Sequence, residues 1–288
     1  MWSTLAVLTA LSGAVPPFQL VAMAFSVAAS LAITKWLVRG EGIRGRFRWP
    51  LAAWLVGVGG LFGYHVFYFL ALRTAPAVEA NLLNYLWPLL IVVFSALLPG
   101  HRLRWWHVAG TLAGLAGTAL LIGGGSGDGG FGFRGEFALG YAAGVAAAVT
   151  WAAYSLLSRR FAHVPTDAVG AFCAATAVLA ALAHLAFETT VWPRGGEWLA
   201  VLAMGMGPVG AAFFTWDYGV KHGDIRVLGA AAYATPLLST LLLVAVGEAR
   251  PTLTLAMACA LITGGAALAA SEMLFPGRRS DRHGAPGA

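Results

Sequence analysis

The sequence predicts an all-α membrane protein of ten transmembrane helices, arranged as an inverted repeat of two five-helix halves. Composition, the rhythm of its apolar runs and an internal repeat carry that reading. Of the 288 residues, 59% are hydrophobic and only 10% charged, with a mean hydropathy of +0.76, whereas soluble domains are about 45–50% apolar and about 25% charged. Lipid is the solvent such a chain requires. Apolar runs break at Ser12 to Pro17, Arg39 to Trp49, Arg73 to Pro76, Pro99 to Arg104, Gly123 to Gly135, Arg159 to Asp167, Pro193 to Glu197, Lys221 to Asp224 and Glu248 to Thr252. A bilayer core about 30 Å thick takes about 20 helical residues per crossing, so these breaks separate ten crossings and leave no length for a soluble domain. Continuous runs of about twenty residues, rather than alternation over about ten, select helices over a barrel.

The repeat sets the topology. Trp2, Val15 and Pro16 match Trp151, Val164 and Pro165 at an offset of 149, and Tyr85, Pro88, Leu89 and Leu90 match Tyr233, Pro236, Leu237 and Leu238 at 148. Five helices per half is an odd number, so the second half must enter the membrane inverted, as in many transporters whose site lies between the halves near mid-membrane. The expected division is a first repeat at 1–123, a flexible outer linker at 124–134, a second repeat at 135–275 and a disordered cytoplasmic tail at 276–288.

Orientation follows from the basic residues. With the N-terminus in the cytoplasm, the inner side holds Lys35, Arg39, Arg44, Arg46, Arg48, Arg102, Arg104, Arg159, Arg160, Lys221, Arg226, Arg278, Arg279 and Arg282, and the outer side only Arg73, Arg134, Arg194 and Arg250. Both termini are therefore expected in the cytoplasm of a bacterium, with the protein in the inner membrane. The formal net charge of +6 is spread between apolar runs, so it is read as a topology signal and not as a nucleic-acid surface. The run from Met1 to Leu11 rises only about 16 Å, and the natural chain is expected to begin about ten to fifteen residues earlier.

Cys173 and Cys259 lie in apolar runs, so neither a disulfide framework nor a metal site is expected. Gly125, Gly127 and Gly130 have dinucleotide-loop spacing without the strand and crossover that loop needs. The glycine pairs Gly59 with Gly63, Gly110 with Gly114 and Gly140 with Gly144 predict close helix approach, mainly within the chain, and a monomer is expected.

Candidate binding residues are aromatic and polar side chains well inside helices. Tyr64 and Tyr68 share a face of helix three beside His65. Asn81, Asn84 and Pro88 follow one another along helix four with Trp87, and Trp151 and Tyr154 share a face of helix six, while Tyr85 and Tyr233 are also deep and Trp216 lies nearer the inner end. Each alone is equally explained by interhelical packing with its polar atom bonded across helices. Together they offer aromatic faces with polar tips from both halves, suited to a planar apolar ligand whose polar end meets Asn84 and His65. Pro88 and Pro236, in equivalent positions, each remove a backbone bond and free the carbonyls of Asn84 and Ala232. Paired interruptions mark a transporter's site or hinge, or a static kink.

No phosphate-cradling Gly-x4-Gly-Lys-Ser/Thr run is present, which leaves secondary or passive transport. Glu188, Asp217 and Glu272 lie near helix ends, and Asp217 can pair with Lys221 one turn on. Glu79, a few residues into helix four, is the candidate coupling site, and facilitated diffusion fits as well. An enzyme is the rival class, but His65, His107 and His184 sit on different helices with no nucleophile–base or metal-ligand spacing.

Trp2-Ser3-Thr4, Asn84-Tyr85-Leu86-Trp87-Pro88, Trp151-Ala152-Ala153-Tyr154, Trp216 with Gly219 and His222-Gly223, and Tyr233 with Thr235-Pro236 and Ser239 resemble the drug/metabolite transporter superfamily, in its branch of two five-helix repeats. The similarity runs from Trp2 to Leu274 and is greatest to the bacterial aromatic amino acid exporters. It implies efflux of aromatic amino acids, with room for other neutral ones, a cavity lined by helices one, three, four, six, eight and nine, and no bound cofactor. Multidrug or other small-metabolite efflux on the same fold is the alternative. His101 departs from the family, which often has Glu after the fourth helix, whereas the second half keeps Glu248.

Overall fold

The computed structural model describes residues 1–98, 103–124, 134–245, 252–269 and 271. Every regular element among the described residues is helical, and the α-helices group into ten segments. The first half comprises α1 (Trp2–Leu11), α2 (Pro17–Val38), α3 (Leu51–Thr74), α4 (Ala77–Asn84 and Trp87–Phe94) and α5 (Trp105–Gly124). The second comprises α6 (Ala138–Arg160), α7 (Val169–Phe187), α8 (Glu197–Met206 and Ala212–His222), α9 (Ile225–Ala231 and Ala234–Ala245) and α10 (Leu253–Ala269). Segments α2, α3, α4, α6, α7 and α8 are long and apolar enough to cross a bilayer, and the 20 residues of α5 reach about 30 Å. The glycines expected in the linker, Gly125, Gly127 and Gly130, the loop residue His101, Glu248, Glu272 and the tail 276–288 lie outside the described residues.

Proline sets where helices begin. Pro16, Pro50, Pro76 and Pro165 stand just before helical turns with ψ of 151°, 143°, 136° and 150°, the extended backbone in which the missing N–H of a proline costs nothing. At α9 the same position in the repeat holds Asp224, whose carboxylate accepts the Arg226 backbone N–H at 2.9 Å.

The halves interlock as an inverted pair should. The most extensive helix contacts join α5 to α10, α3 to α6 and α2 to α7, all across the halves, and α1 packs on α8 as α6 packs on α3. Where α5 and α10 meet, a Cβ on Gly110 would stand 2.4 Å from the Gly265 carbonyl oxygen, so backbones touch there. The Gly140–Gly144 pair likewise faces Ala75 and Leu83. The expectation for Gly59 and Gly63 is corrected: nothing lies within 4 Å of a Cβ on Gly59, and Gly63 meets only a Thr150 methyl at 3.7 Å. The helical phase instead turns Gly57 and Gly60 inward, against the Phe172 and Tyr154 rings.

The predicted interruptions are present. α4 breaks at Tyr85–Leu86 and α9 at Ala232–Tyr233, just ahead of Pro88 and Pro236. The Ala232 carbonyl that Pro236 frees is not left open, for it accepts the Thr235 N–H at 3.0 Å. A further irregularity, a π-helical turn at Gly207–Ala211 within α8 that contains Gly207, Pro208 and Gly210, was not expected.

The α2–α7 pair is tied at both ends. At one, Asp167 accepts from Lys35 Nζ and Trp36 Nε1 and pairs with Arg46 at 3.3 Å. At the other, Glu188, with 2% of its side chain exposed, accepts the Phe18 and Gln19 backbone N–H groups at 3.1 Å. Arg73 and His184 reach the same carboxylate at 3.2 and 3.0 Å. Glu188 thus caps the positive end of α2 while also pairing with the Arg73 guanidinium and hydrogen-bonding the His184 ring.

Candidate functional site

Four indoles meet between the halves. Trp2 enters from the start of α1, Trp87 from the first turn after the α4 break, Trp151 from the middle of α6 and Trp216 from α8. All six pairings fall within ring contact, with centroids 5.1 Å apart for Trp2–Trp216, 5.4 Å for Trp87–Trp216 and 5.7 Å for Trp2–Trp151. Trp151–Trp216 stands at 6.0 Å, and Trp2–Trp87 and Trp87–Trp151 at 6.2 Å. Edge-to-face and tilted geometries dominate, as ring quadrupoles favour. Phe213 closes the cluster, 5.6 Å from Trp151 and 6.2 Å from Trp2. Two of the four indole N–H groups have acceptors: Trp2 Nε1 donates to the Pro208 carbonyl at 2.9 Å and Trp216 Nε1 to Ser155 Oγ at 3.0 Å. The π-helical turn therefore offers its Pro208 carbonyl to the first helix of the other half.

A polar end abuts this cluster. The Tyr64 ring lies 5.4 Å from Trp151 and stacks on Tyr68 at 5.7 Å. Asn84 Nδ2 donates to the Tyr64 hydroxyl at 3.1 Å, and the Tyr68 hydroxyl donates to Asn81 Oδ1 at 2.5 Å. His65 stands edge-on to Tyr64 and Phe25. Its Nδ1 donates to the Leu61 carbonyl at 2.6 Å, which fixes the proton on Nδ1 and leaves Nε2 as an acceptor. Asn84 is buried, yet its Oδ1 has no hydrogen-bond partner among the described residues.

Tyr64, His65, Tyr68, Asn84, Trp87 and Trp151 are thus brought together, and Tyr154 joins them with its ring 5.2 Å from Trp151. Tyr233 is not. It packs with Leu237, Leu255 and Ile262 in a second cluster, and its hydroxyl donates to the Tyr85 carbonyl at 3.0 Å. Pro88 and Pro236 flank the two helix breaks. Glu79, at the start of α4, accepts the Tyr141 hydroxyl at 2.6 Å and lies away from the indoles. Asp217 pairs with Lys221 at 2.8 Å, as the spacing expects, and also accepts from Thr166 at 2.7 Å.

Sequence reasoning left out Trp2 and Phe213. Trp2 is the repeat partner of Trp151, which was the available signal, but its place in a short first run disguised it. The buried role of Glu188 was missed because it requires knowing that the α7 end meets the α2 start. Both cysteines are free, and among the described residues no group of His, Cys, Asp and Glu could hold a metal.

A family model described as the EamA-like transporter family matches residues 1–123 and 138–271. The aromatic amino acid exporter YddG of Ancylobacter novellus is 58% identical over 269 residues, 93% of each chain. The protein of that name from Salmonella typhimurium is 26% identical over 250 residues, covering 84% of this chain and 83% of the relative. A solved crystal structure at 57% identity superposes with a TM-score of 0.87 over 93% of this chain and 92% of its own.

Proposed function

The chain belongs to the EamA-like transporter family, and we propose that it exports aromatic amino acids across a bacterial inner membrane by alternating access, as a monomer with both termini in the cytoplasm. The observation that carries this reading is the two-part site. A cluster of four indoles suits an aromatic side chain, and the phenol–amide group of Tyr64, His65, Tyr68 and Asn84 suits the amino-acid backbone. The high identity to a relative named as an aromatic amino acid exporter supports the same substrate class.

The rings pack against one another, so a substrate must part them. The interrupted helices α4 and α9 supply the joints at which one half can swing on the other, with Pro88 and Pro236 fixing where they bend. The α2–α7 pair, tied at both ends, is the static post. Tyr154 supports Trp151 in the ligand-facing set, while Tyr233 ties the joints together. Glu79, held by Tyr141, is the candidate for coupling to protons, and its distance from the indoles makes it a gate residue rather than a substrate contact.

Purified protein in proteoliposomes tests this. Labelled tryptophan, phenylalanine and tyrosine should enter faster than into empty vesicles, and Glu79→Gln should remove any stimulation by an imposed pH gradient. Absence of uptake for all three, with transport of planar cationic drugs instead, would replace this reading with drug efflux.

A further inference from the structure

The amide of Asn84 carries an inference that rests on the export reading. We propose that the site selects its substrate by the ammonium group, anchored on Asn84 Oδ1. It then also carries aromatic primary amines that lack a carboxylate, and refuses N-acylated aromatic amino acids.

Asn84 ends the first part of α4. Its Nδ2 is committed to Tyr64, and its Oδ1 has no donor among the described residues although the residue is only 5% exposed. A buried polar atom left unpaired is costly, and native proteins rarely keep one without a use. Two further features give this point negative character. Pro88 has no N–H to offer the Asn84 main-chain carbonyl, and the C-terminal end of a helix favours a cation. A primary ammonium has a donor for Asn84 Oδ1.

The anchor is neutral. Among the described residues the buried carboxylates are engaged elsewhere, Glu79 with Tyr141, Asp217 with Lys221 and Thr166, and Glu188 with the α2 start, His184 and Arg73. Neighbouring aromatic faces, Tyr64 against Trp151 above all, can compensate a bound cation through their quadrupoles. The Tyr64 hydroxyl accepts from Asn84 and keeps its own proton, which can meet a carboxylate. That contact adds to binding, while the ammonium anchor decides it. At the repeat offset of 148 the second half has Ala232 in place of Asn84, so only one half can hold the ammonium and the ligand takes one orientation.

The test uses the full-length protein in proteoliposomes with internal and external pH clamped by an ionophore, so that permeant amines cannot act through a gradient. Labelled phenylalanine uptake is competed with phenylalaninamide, 2-phenylethylamine, N-acetylphenylalanine and 3-phenylpropionate. The two amines should half-inhibit within about tenfold of unlabelled phenylalanine, and the other two should need at least about tenfold more than the amines. In detergent, Asn84→Asp should retain the thermal shift given by phenylalaninamide and Asn84→Leu should lose it. If either variant fails to fold, the wild-type competition decides alone. N-acetylphenylalanine competing as well as phenylalanine, phenylpropionate outcompeting the amines, or an unchanged shift in Asn84→Leu would overturn the ammonium anchor and leave export standing. No uptake of any aromatic amino acid would overturn both.

Discussion

The Tyr233 hydroxyl on α9 donates to the main-chain carbonyl of Tyr85 on α4 at 3.0 Å, and these tyrosines are each other's counterparts in the repeat. One copy of a position thus bonds the other copy, at the point where each helix is interrupted. The bond ties the two helix breaks to each other across the halves.

Tyr233→Phe should lower the thermal stability of the purified protein by about 1 kcal/mol, the net worth of one buried hydrogen bond. It should leave phenylalanine-dependent stabilisation intact, because Tyr233 packs outside the indole cluster. Thermal unfolding in detergent, with and without phenylalanine, measures both. Loss of the ligand effect would return Tyr233 to the substrate site.

Trp87 is 6% exposed and touches three other indoles. Trp87→Ala leaves a cavity and should cost about 3 kcal/mol or more, so its transport defect would be ambiguous. Trp87→Phe keeps a ring and should remain monodisperse on size exclusion while its initial uptake of labelled tryptophan falls several-fold. Uptake equal to wild type would assign this side chain to packing alone.

Glu188→Ala removes the carboxylate shared by two backbone N–H groups, Arg73 and His184, in a site almost closed to solvent. Leaving buried donors without their acceptor costs about 1–3 kcal/mol. A large drop in unfolding temperature is expected, and a drop no greater than that of an exposed control such as Glu136→Ala would refute the clamp.

Glycine positions that look alike in the sequence should behave oppositely. Gly110→Ala places a Cβ 2.4 Å from the Gly265 carbonyl and 2.8 Å from the Ala269 nitrogen, both backbone atoms that cannot swing away. Gly59→Ala meets open space and should be neutral or stabilise by up to about 1 kcal/mol through helix propensity. Paired melting curves separate the two.

Asp224 lies between α8 and α9. Partial burial raises its pKa, but hydrogen bonds from Arg226 and the guanidinium charge outweigh that and hold it at about 2. A depressed carboxylate contributes stability that is complete above its unfolded value, about 4, and is lost as pH falls through about 2. The melting-temperature gap between wild type and Asp224→Asn should therefore be constant at neutral pH and shrink below about pH 4. A gap that widened on acidification would reverse the assignment.

Much of this was legible in one dimension. Lipid has no water to satisfy backbone groups, so the apolar runs had to be helices, and the repeat of Tyr85-to-Leu90 at Tyr233-to-Leu238 placed both interruptions correctly. The site was legible in part: Tyr64, His65, Tyr68, Asn84, Trp87, Trp151 and Tyr154 do converge, because periodicity assigns each to a helix face. Tyr233 converged elsewhere, since an equivalent position in a repeat need not face the same neighbours once the second copy is inverted.

The sequence by itself determined the solvent, the number of helices, the inversion of the second half and the helix breaks, since all of these follow from local composition and chain order. Only the tertiary structure decided that Trp2 completes the indole cluster, that Gly57 and Gly60 rather than Gly59 and Gly63 turn inward, that Glu188 caps α2 and that Asn84 Oδ1 is left unpaired. Those outcomes depend on which faces of distant helices meet. Helical phase and packing angle set that together, and no run of neighbouring residues encodes both.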